Sequence, residues 1–179
     1  MTSTDRNPPH PYHAFVFRTA HSRDGAALWH LVRDTRALEL NSPYFYVLFA
    51  TDFGQTCLVA EAPDGRLAGL VIGYVPPTQA DTAFVWQVGV HPDFQGQGLG
   101  LQLLQQWWAL PALSTCRWLT ATVADDNTAS RALFERFARE HGRPCERRPH
   151  FTADLFPIDH PAEPLLRIGP IDRGRPVPV

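Results

Sequence analysis

"FVWQVGVHPDFQGQGLGLQLLQQWW", Phe84 through Trp108, decides how this chain folds. Its first part belongs to the apolar run "TAFVWQVGV", which reads as a strand with both faces covered, as a central strand has. Gly96, Gly98 and Gly100 then alternate with Gln97 and Leu99, and a run of leucines, glutamines and tryptophans follows, ending near Pro111. That run has the composition of a helix. A strand, a glycine loop and a helix in this order form an anion site. Helix N-termini leave backbone N–H groups unpaired, and glycines clear side chains away from them.

Reading outward from the loop gives the remaining elements. "TCLVAEAPDGRLAGLVIGYV" has two apolar runs flanking Pro63-Asp64-Gly65, the pattern of a β-hairpin. "AFVFRTA" alternates like a first strand, and "SRDGAALWHLVRDTRALEL" places Ala27, Leu28, Leu31, Val32 and Leu38 at helical spacing. Ser42 followed by Pro43 is the start signal of a second helix. After the glycine loop and its helix come a strand in "CRWLTATV" and a capped helix in "DDNTASRALFERFAREHG". Short strands are expected in "HFTADLF" and "EPLLRIG". The order β-α-α-β-β-β-α-β-α-β-β predicts an α/β fold, a mixed sheet with helices on both faces. Residues 13–169 form the expected domain, and 1–12 and 170–179 read as flexible tails.

Composition narrows the function. The chain has 179 residues, enough for one substantial core. A net charge of −2 argues against a nucleic-acid footprint. No apolar run is long enough to span a bilayer and the first residues lack a signal core, so a cytoplasmic protein with no membrane partner is expected. Cys57, Cys116 and Cys145 show no CxxC pairing, and the histidines lack metal spacing, so neither a disulfide framework nor a metal site is expected.

Two nucleotide readings of the loop fail by position. A P-loop requires Gly-Lys-Ser/Thr, and here Leu99-Gly100-Leu101 follows Gly98. A dinucleotide fingerprint requires glycine at Leu101 or Leu103. What remains is Q-x-x-G-x-G over Gln95, Gly96, Gln97, Gly98, Leu99 and Gly100. This pattern resembles the loop of the GNAT superfamily of acetyl-CoA-dependent N-acetyltransferases, and the flanking strands and "NTASRALF" fit the same template. The resemblance covers about Phe15 to Ile168. It implies a mostly antiparallel mixed sheet with splayed central strands, acetyl-CoA as cosubstrate with its pyrophosphate on the loop, and no metal. It further implies cofactor contacts from the backbone N–H groups of Val88 and Val90, one of them polarising the thioester carbonyl. Asn127 matches a family asparagine beside the cofactor arm and equally suits a plain helix cap. Phe134 stands where many relatives have a tyrosine that protonates the departing thiolate. A thiol of pKa about 8.5 leaves tolerably without that help.

Three segments, "LELNSPYFYVLFATDFGQTCLVAE", "DTAFVWQVGVHPDFQGQGLG" and "TATVADDNTASRALF", resemble the L-2,4-diaminobutyrate acetyltransferases of ectoine biosynthesis. The resemblance implies γ-amine acetylation of a small diamino acid, a role in osmotic protection, and a homodimer. By motif, Glu39 takes the place of a usual aspartate, Tyr44 and Trp86 match pocket aromatics, and "DHPAEPLLRI" supplies His160 and Glu163, with Leu166 replacing a common tyrosine. The residue types suit the task. Carboxylates at Glu39 and Glu163 hold ammonium groups, and aromatic faces at Tyr44 and Trp86 attract cations. A primary ammonium, of pKa about 10, must lose a proton before attack, so Glu163 or Glu39, supported by His160, is the expected base. Two alternatives stay open: an acetyltransferase acting on another amine, and a module that binds acetyl-CoA without turnover.

Overall fold

The computed structural model describes residues 15–172. In chain order the first elements are β1 (Val16–Thr19), α1 (Gly25–Thr35), α2 (Pro43–Asp52), β2 (Cys57–Glu61), β3 (Leu67–Tyr74) and β4 (Thr82–Val90). Then follow α3 (Leu99–Trp108), β5 (Trp118–Thr122), α4 (Thr128–Glu140), β6 (Cys145–Phe151) and β7 (Glu163–Ile168). The strands form one seven-stranded sheet in the order β1-β2-β3-β4-β5-β7-β6. Every neighbouring pair is antiparallel except β4 and β5.

Strand alternation divides the core between the two faces of this sheet. Cys57, Val59, Leu70 and Ile72 point into a cluster closed by Leu28, Leu31 and Val32 of α1 and Tyr46 and Ala50 of α2. Leu58, Ala60, Val71, Ala83 and Val85 point the other way, onto α3 and α4. The β2–β3 turn closes at Pro63-Asp64-Gly65, with Gly65 at φ +82° as a tight hairpin turn requires. Ser42 caps α2 by accepting the Phe45 N–H.

The feature that positions the site is an interrupted pairing. β4 pairs with β5 only from Thr82↔Trp118 to Val85↔Ala121, although β4 continues to Val90. From Trp86 onward no strand of the described residues lies beside the edge of β4 that faces β5, so the splay expected between these strands is present.

Local expectations fail in three places. The first helix ends at Thr35 because Arg36 adopts a left-handed conformation, φ 53°, so Leu38 lies in the following loop and not on a helix. The strand expected at 150–156 is β6, displaced toward the N-terminus. Gly142, φ 62°, stops α4, and the chain returns at once to pair Cys145–Arg148 with Leu165–Ile168. Being a largely exposed edge strand, β6 carries no apolar alternation, and the exposed Phe151 and Leu155 supplied a misleading pattern. Finally, Ile171 is buried and its N–H bonds Arg117 O at 2.7 Å, so packing continues past the boundary expected at residue 169. The expected tails at 1–12 and beyond 172 lie outside the described residues.

Candidate active site

The glycine loop makes a cradle of main-chain donors. Gly96 and Gly98 both take positive φ, 76° and 75°, and Gly98 caps α3 from a left-handed conformation. Among the described residues, the N–H groups of Gly96, Gln97, Gly98, Leu99 and Gly100 make no well-formed hydrogen bond; the first bonded amides of the helix are Leu101 and Gln102, on Gly98 O. A Cβ at Gly96 or Gly98 would meet nothing within 4 Å, so packing does not demand these glycines. Their backbone conformation does, and it leaves the donors open to a polyanion. The loop borders a hollow of about 320 Å³ whose other wall is Ala132, Leu133 and Arg136 of α4.

Two further hollows continue from this one along the open edge of β4. A space of about 160 Å³ shares Val90, Gln95 and Leu133 with the first. A third, of about 60 Å³, shares Leu38, Val88, Asn127 and Ser130 with the second and ends against Trp86, Thr122 and Phe134. The three form one groove that starts at the donor loop and runs between the splayed strands.

Strand geometry sets which backbone groups face this groove. The His91 N–H bonds Ala68 O on β3 at 2.8 Å, so the odd-numbered residues near the end of β4 face β3 and the N–H and C=O groups of Val88 and Val90 face the open side. In agreement, Gln95 Nε2 reaches Val90 O from that side at 3.1 Å. A β-bulge re-phases the strand upstream. The register passes from Gly73↔Val85 to Ile72↔Gln87, so Trp86 is the extra residue. Val85 therefore points toward α3 and α4, while Gln87, two residues on, meets Tyr46 on the opposite face.

Carboxylates lie close to the far end of the groove without lining it: Thr122, which lines the last hollow, sits beside Glu163. Burial pushes the Glu163 carboxyl above its ordinary value; a charge on His160 and the Thr122 hydroxyl pull it back, and Glu39 and Asp126 push it up again. Glu39, His160 and Glu163 thus share one electrostatic neighbourhood, although they come from the loop after α1, the loop before β7 and β7 itself. The ring of His160 stacks on Phe156 at 4.0 Å, and its Nδ1–H donates to Pro161 O at 2.7 Å. Since a carbonyl only accepts, Nδ1 carries a proton in this contact.

The other expected residues fall as follows. Trp86 is 46% exposed and packs on Phe45 at 5.8 Å, so it is a wall and not core. Tyr44, on the first turn of α2, is 71% exposed and lines none of the three hollows. Asn127 is the cap of α4, its Oδ1 accepting the Ser130 N–H at 3.0 Å, and the residue also lines two of the hollows. Phe134 is fully buried at the end of the groove, with no hydroxyl to offer. Sequence reasoning missed Asp126, Ser130, Arg136 and Gln87. For the residues on and just before α4 a signal existed, since Ser130 and Leu133 lie three and six positions after Asn127 on one helical face. Gln87 had none, because an unmarked bulge decides its direction. Among the described residues no cluster of three or more His, Cys, Asp or Glu is arranged to hold a metal ion.

A donor cradle at a helix N-terminus joined to a split β4/β5 edge defines a class of acyl-CoA-dependent transferases. The model of the acetyltransferase (GNAT) family matches residues 25–138, and this chain belongs to that family. More narrowly, it is 44% identical over 149 residues to an L-2,4-diaminobutyric acid acetyltransferase of Halalkalibacterium halodurans, covering 83% of this chain and 78% of that protein. It is 42% identical over 156 residues to the protein of the same name from Nocardia farcinica, covering 87% and 80% of the two chains. Among solved structures, the diaminobutyrate acetyltransferase of Paenibacillus lautus, in complex with its substrate L-2,4-diaminobutyric acid and coenzyme A, superposes with a TM-score of 0.84 at 36% identity, covering 89% of this chain and 97% of that one.

Proposed function

We propose that this chain transfers the acetyl group of acetyl-CoA to the γ-amine of L-2,4-diaminobutyrate, by direct attack in a ternary complex. The observation that carries the reading is the single groove that starts at the unpaired main-chain donors of Gly96–Gly100 and ends against Trp86 and Thr122, with the Glu163 carboxyl next to Thr122. Its ends suit opposite charges: a diphosphate at the loop, a diammonium at the carboxylates. The similarity to the diaminobutyrate acetyltransferases supports the same substrate pair.

Acetyl-CoA supplies the activated acyl group, and the residues of the chain do the rest. The loop N–H groups bind the pyrophosphate at the positive end of α3. Val88 and Val90 offer backbone groups to an extended arm as a neighbouring strand does, and an N–H of this pair stabilises negative charge on the reacting carbonyl oxygen. Glu39 and Glu163 hold the two ammonium groups, with Trp86 as an aromatic wall. Glu163, whose raised pKa brings it nearer to that of the amine, removes the proton from the γ-ammonium, with His160 in support. Phe134 leaves the thiolate to solvent protonation, which its modest basicity permits.

No cysteine is placed as a nucleophile. Burial pushes the Cys57 and Cys145 thiols up to about 11, far from the reactive range. A role in ectoine biosynthesis and osmotic protection, a cytoplasmic location and a homodimer belong to the same proposal and rest on the family resemblance.

The test is thiol release from acetyl-CoA with L-2,4-diaminobutyrate, ornithine and lysine, with mass spectrometry locating the acetyl group. Preferred acetylation of diaminobutyrate at the γ-nitrogen supports the reading. Preference for another amine moves the substrate, and coenzyme binding without turnover on any amine defeats it.

A further inference from the structure

Outside the residues assigned above, the most connected polar group beside the site is Gln87. Its side chain is 5% exposed, yet both ends of the amide are used. Nε2 donates to the backbone carbonyl of Glu39 at 2.6 Å, and Oε1 accepts the Tyr46 hydroxyl at 3.3 Å. The same hydroxyl accepts the Asn41 N–H at 3.3 Å. The segment carrying Glu39 has no regular secondary structure between the end of α1 and the start of α2, and these bonds tie it at two points to β4 and α2. Leu38 adds apolar contact: its Cδ1 lies 2.9 Å from where a Cβ on Gly89 would sit, so the loop rests directly on the strand.

The sequence position of this amide matters as much as its bonds. Gln87 follows the bulged Trp86, and the bulge is what turns Gln87 toward Tyr46. One short piece of β4 therefore presents the aromatic wall with one residue and holds the Glu39 backbone with the next. Leucine at this place would leave the Glu39 carbonyl and the Tyr46 hydroxyl without their Gln87 partner, so the amide does more than fill space. An amide is warranted where a backbone segment must be kept in register.

We propose that Gln87 and Tyr46 are a positioning pair that fixes Glu39 relative to Trp86, and so sets affinity for the short diamine and discrimination against its longer homologue ornithine. The proposal rests on diaminobutyrate acetylation as the activity. Each side chain acts through the segment that carries Glu39.

The test compares wild type with Gln87→Leu, Tyr46→Phe and the double variant. Tyr46→Phe deletes a single oxygen, and it decides the matter if Gln87→Leu does not fold, as read by circular dichroism. The expected result in each folded single variant is a KM for diaminobutyrate raised roughly tenfold or more, as misplacement of a binding group by about 1 Å produces. The diaminobutyrate-to-ornithine preference falls, while the KM for acetyl-CoA stays within about twofold of wild type because the glycine loop at Gly96–Gly100 is untouched. Calorimetric binding of diaminobutyrate to the coenzyme A complex weakens in parallel. The double variant is no worse than the more affected single one, as two members of one path require. An unchanged KM for diaminobutyrate, an equal rise in both KM values, or additive effects overturn the proposal. If wild type itself does not acetylate diaminobutyrate, the functional reading fails first and this inference falls with it.

Discussion

Replacing Gly98 with alanine separates what the glycine loop does for the fold from what it does for the ligand. Gly98 has φ +75°, and a methyl group placed on its Cα would have nothing within 4 Å, so the new side chain meets no neighbour in the free protein. The loss of stability is then purely conformational, about 1–2 kcal/mol for an L-residue held in the left-handed region, lowering Tm by roughly 2–8 °C in a domain of this size. Gly142 provides a matched control. It also has positive φ, 62°, and also faces open space, but it ends α4 away from the groove. Gly98→Ala and Gly142→Ala should lose similar stability in urea or thermal melts. Only Gly98→Ala should raise the KM for acetyl-CoA, because its methyl enters the space meant for the anion and the strained backbone turns the donors away. Loss of one charge-assisted hydrogen bond is worth about 1.5–3 kcal/mol, which is roughly 10- to 150-fold. Equal stability losses with equal, unchanged KM values for acetyl-CoA would refute the reasoning.

Other changes test the remaining parts of the site. Glu163→Gln should lower kcat/KM for diaminobutyrate by at least about tenfold, from loss of a charged contact, while the ligand-free protein becomes slightly more stable at neutral pH. The sign follows from the raised carboxyl: the folded chain holds that proton more tightly than the unfolded one, so Glu163 supports folding only at acidic pH and opposes it as pH rises through the folded value. Titrating wild type and variant melts from pH 4 to 8 checks this, the curves converging at the acidic end. Trp86→Leu keeps an apolar wall and removes the π face, so KM for the diamine should rise roughly 5- to 30-fold, the equivalent of about 1–2 kcal/mol, with melts little changed because the ring is 46% exposed. Trp107→Phe breaks the buried 2.7 Å bond from Nε1 to Thr56 O and should cost about 1–3 kcal/mol in urea denaturation with both KM values intact. Iodoacetamide at pH 7.5 should leave turnover unchanged and initial-rate patterns should be sequential, since the Cys57 and Cys145 thiols sit at about 11.

What could be read from sequence was what local chemistry controls. The glycines of the Gln95–Gly100 loop announced open main-chain donors, Pro63-Asp64-Gly65 announced a hairpin, and Ser42-Pro43 announced a helix start; each signal needs no distant partner. The run Thr82–Val90 was legible as a strand because both of its faces are apolar. The bulge at Trp86 was not, since no glycine or proline marks it and it is set by pairing with β3. Every consequence of the bulge was hidden with it, above all the turn of Gln87 toward Tyr46. β6 was displaced for a related reason: an edge strand held only by β7 carries little pattern of its own. Glu39, His160 and Glu163 were nominated by family resemblance. They come from three separate segments, which only the folded chain brings within electrostatic reach of one another.

The main-chain donors of Gly96 to Gly100 carry the whole functional reading. Amide signals of a ¹⁵N-labelled protein, followed as coenzyme A is added, test them directly. These amides should shift and become protected from hydrogen exchange on binding, with Val88 and Val90 following, while Gly65 and Gly142 do not move. Saturable binding of coenzyme A that leaves the Gly96–Gly100 amides unshifted and freely exchanging would contradict the assignment.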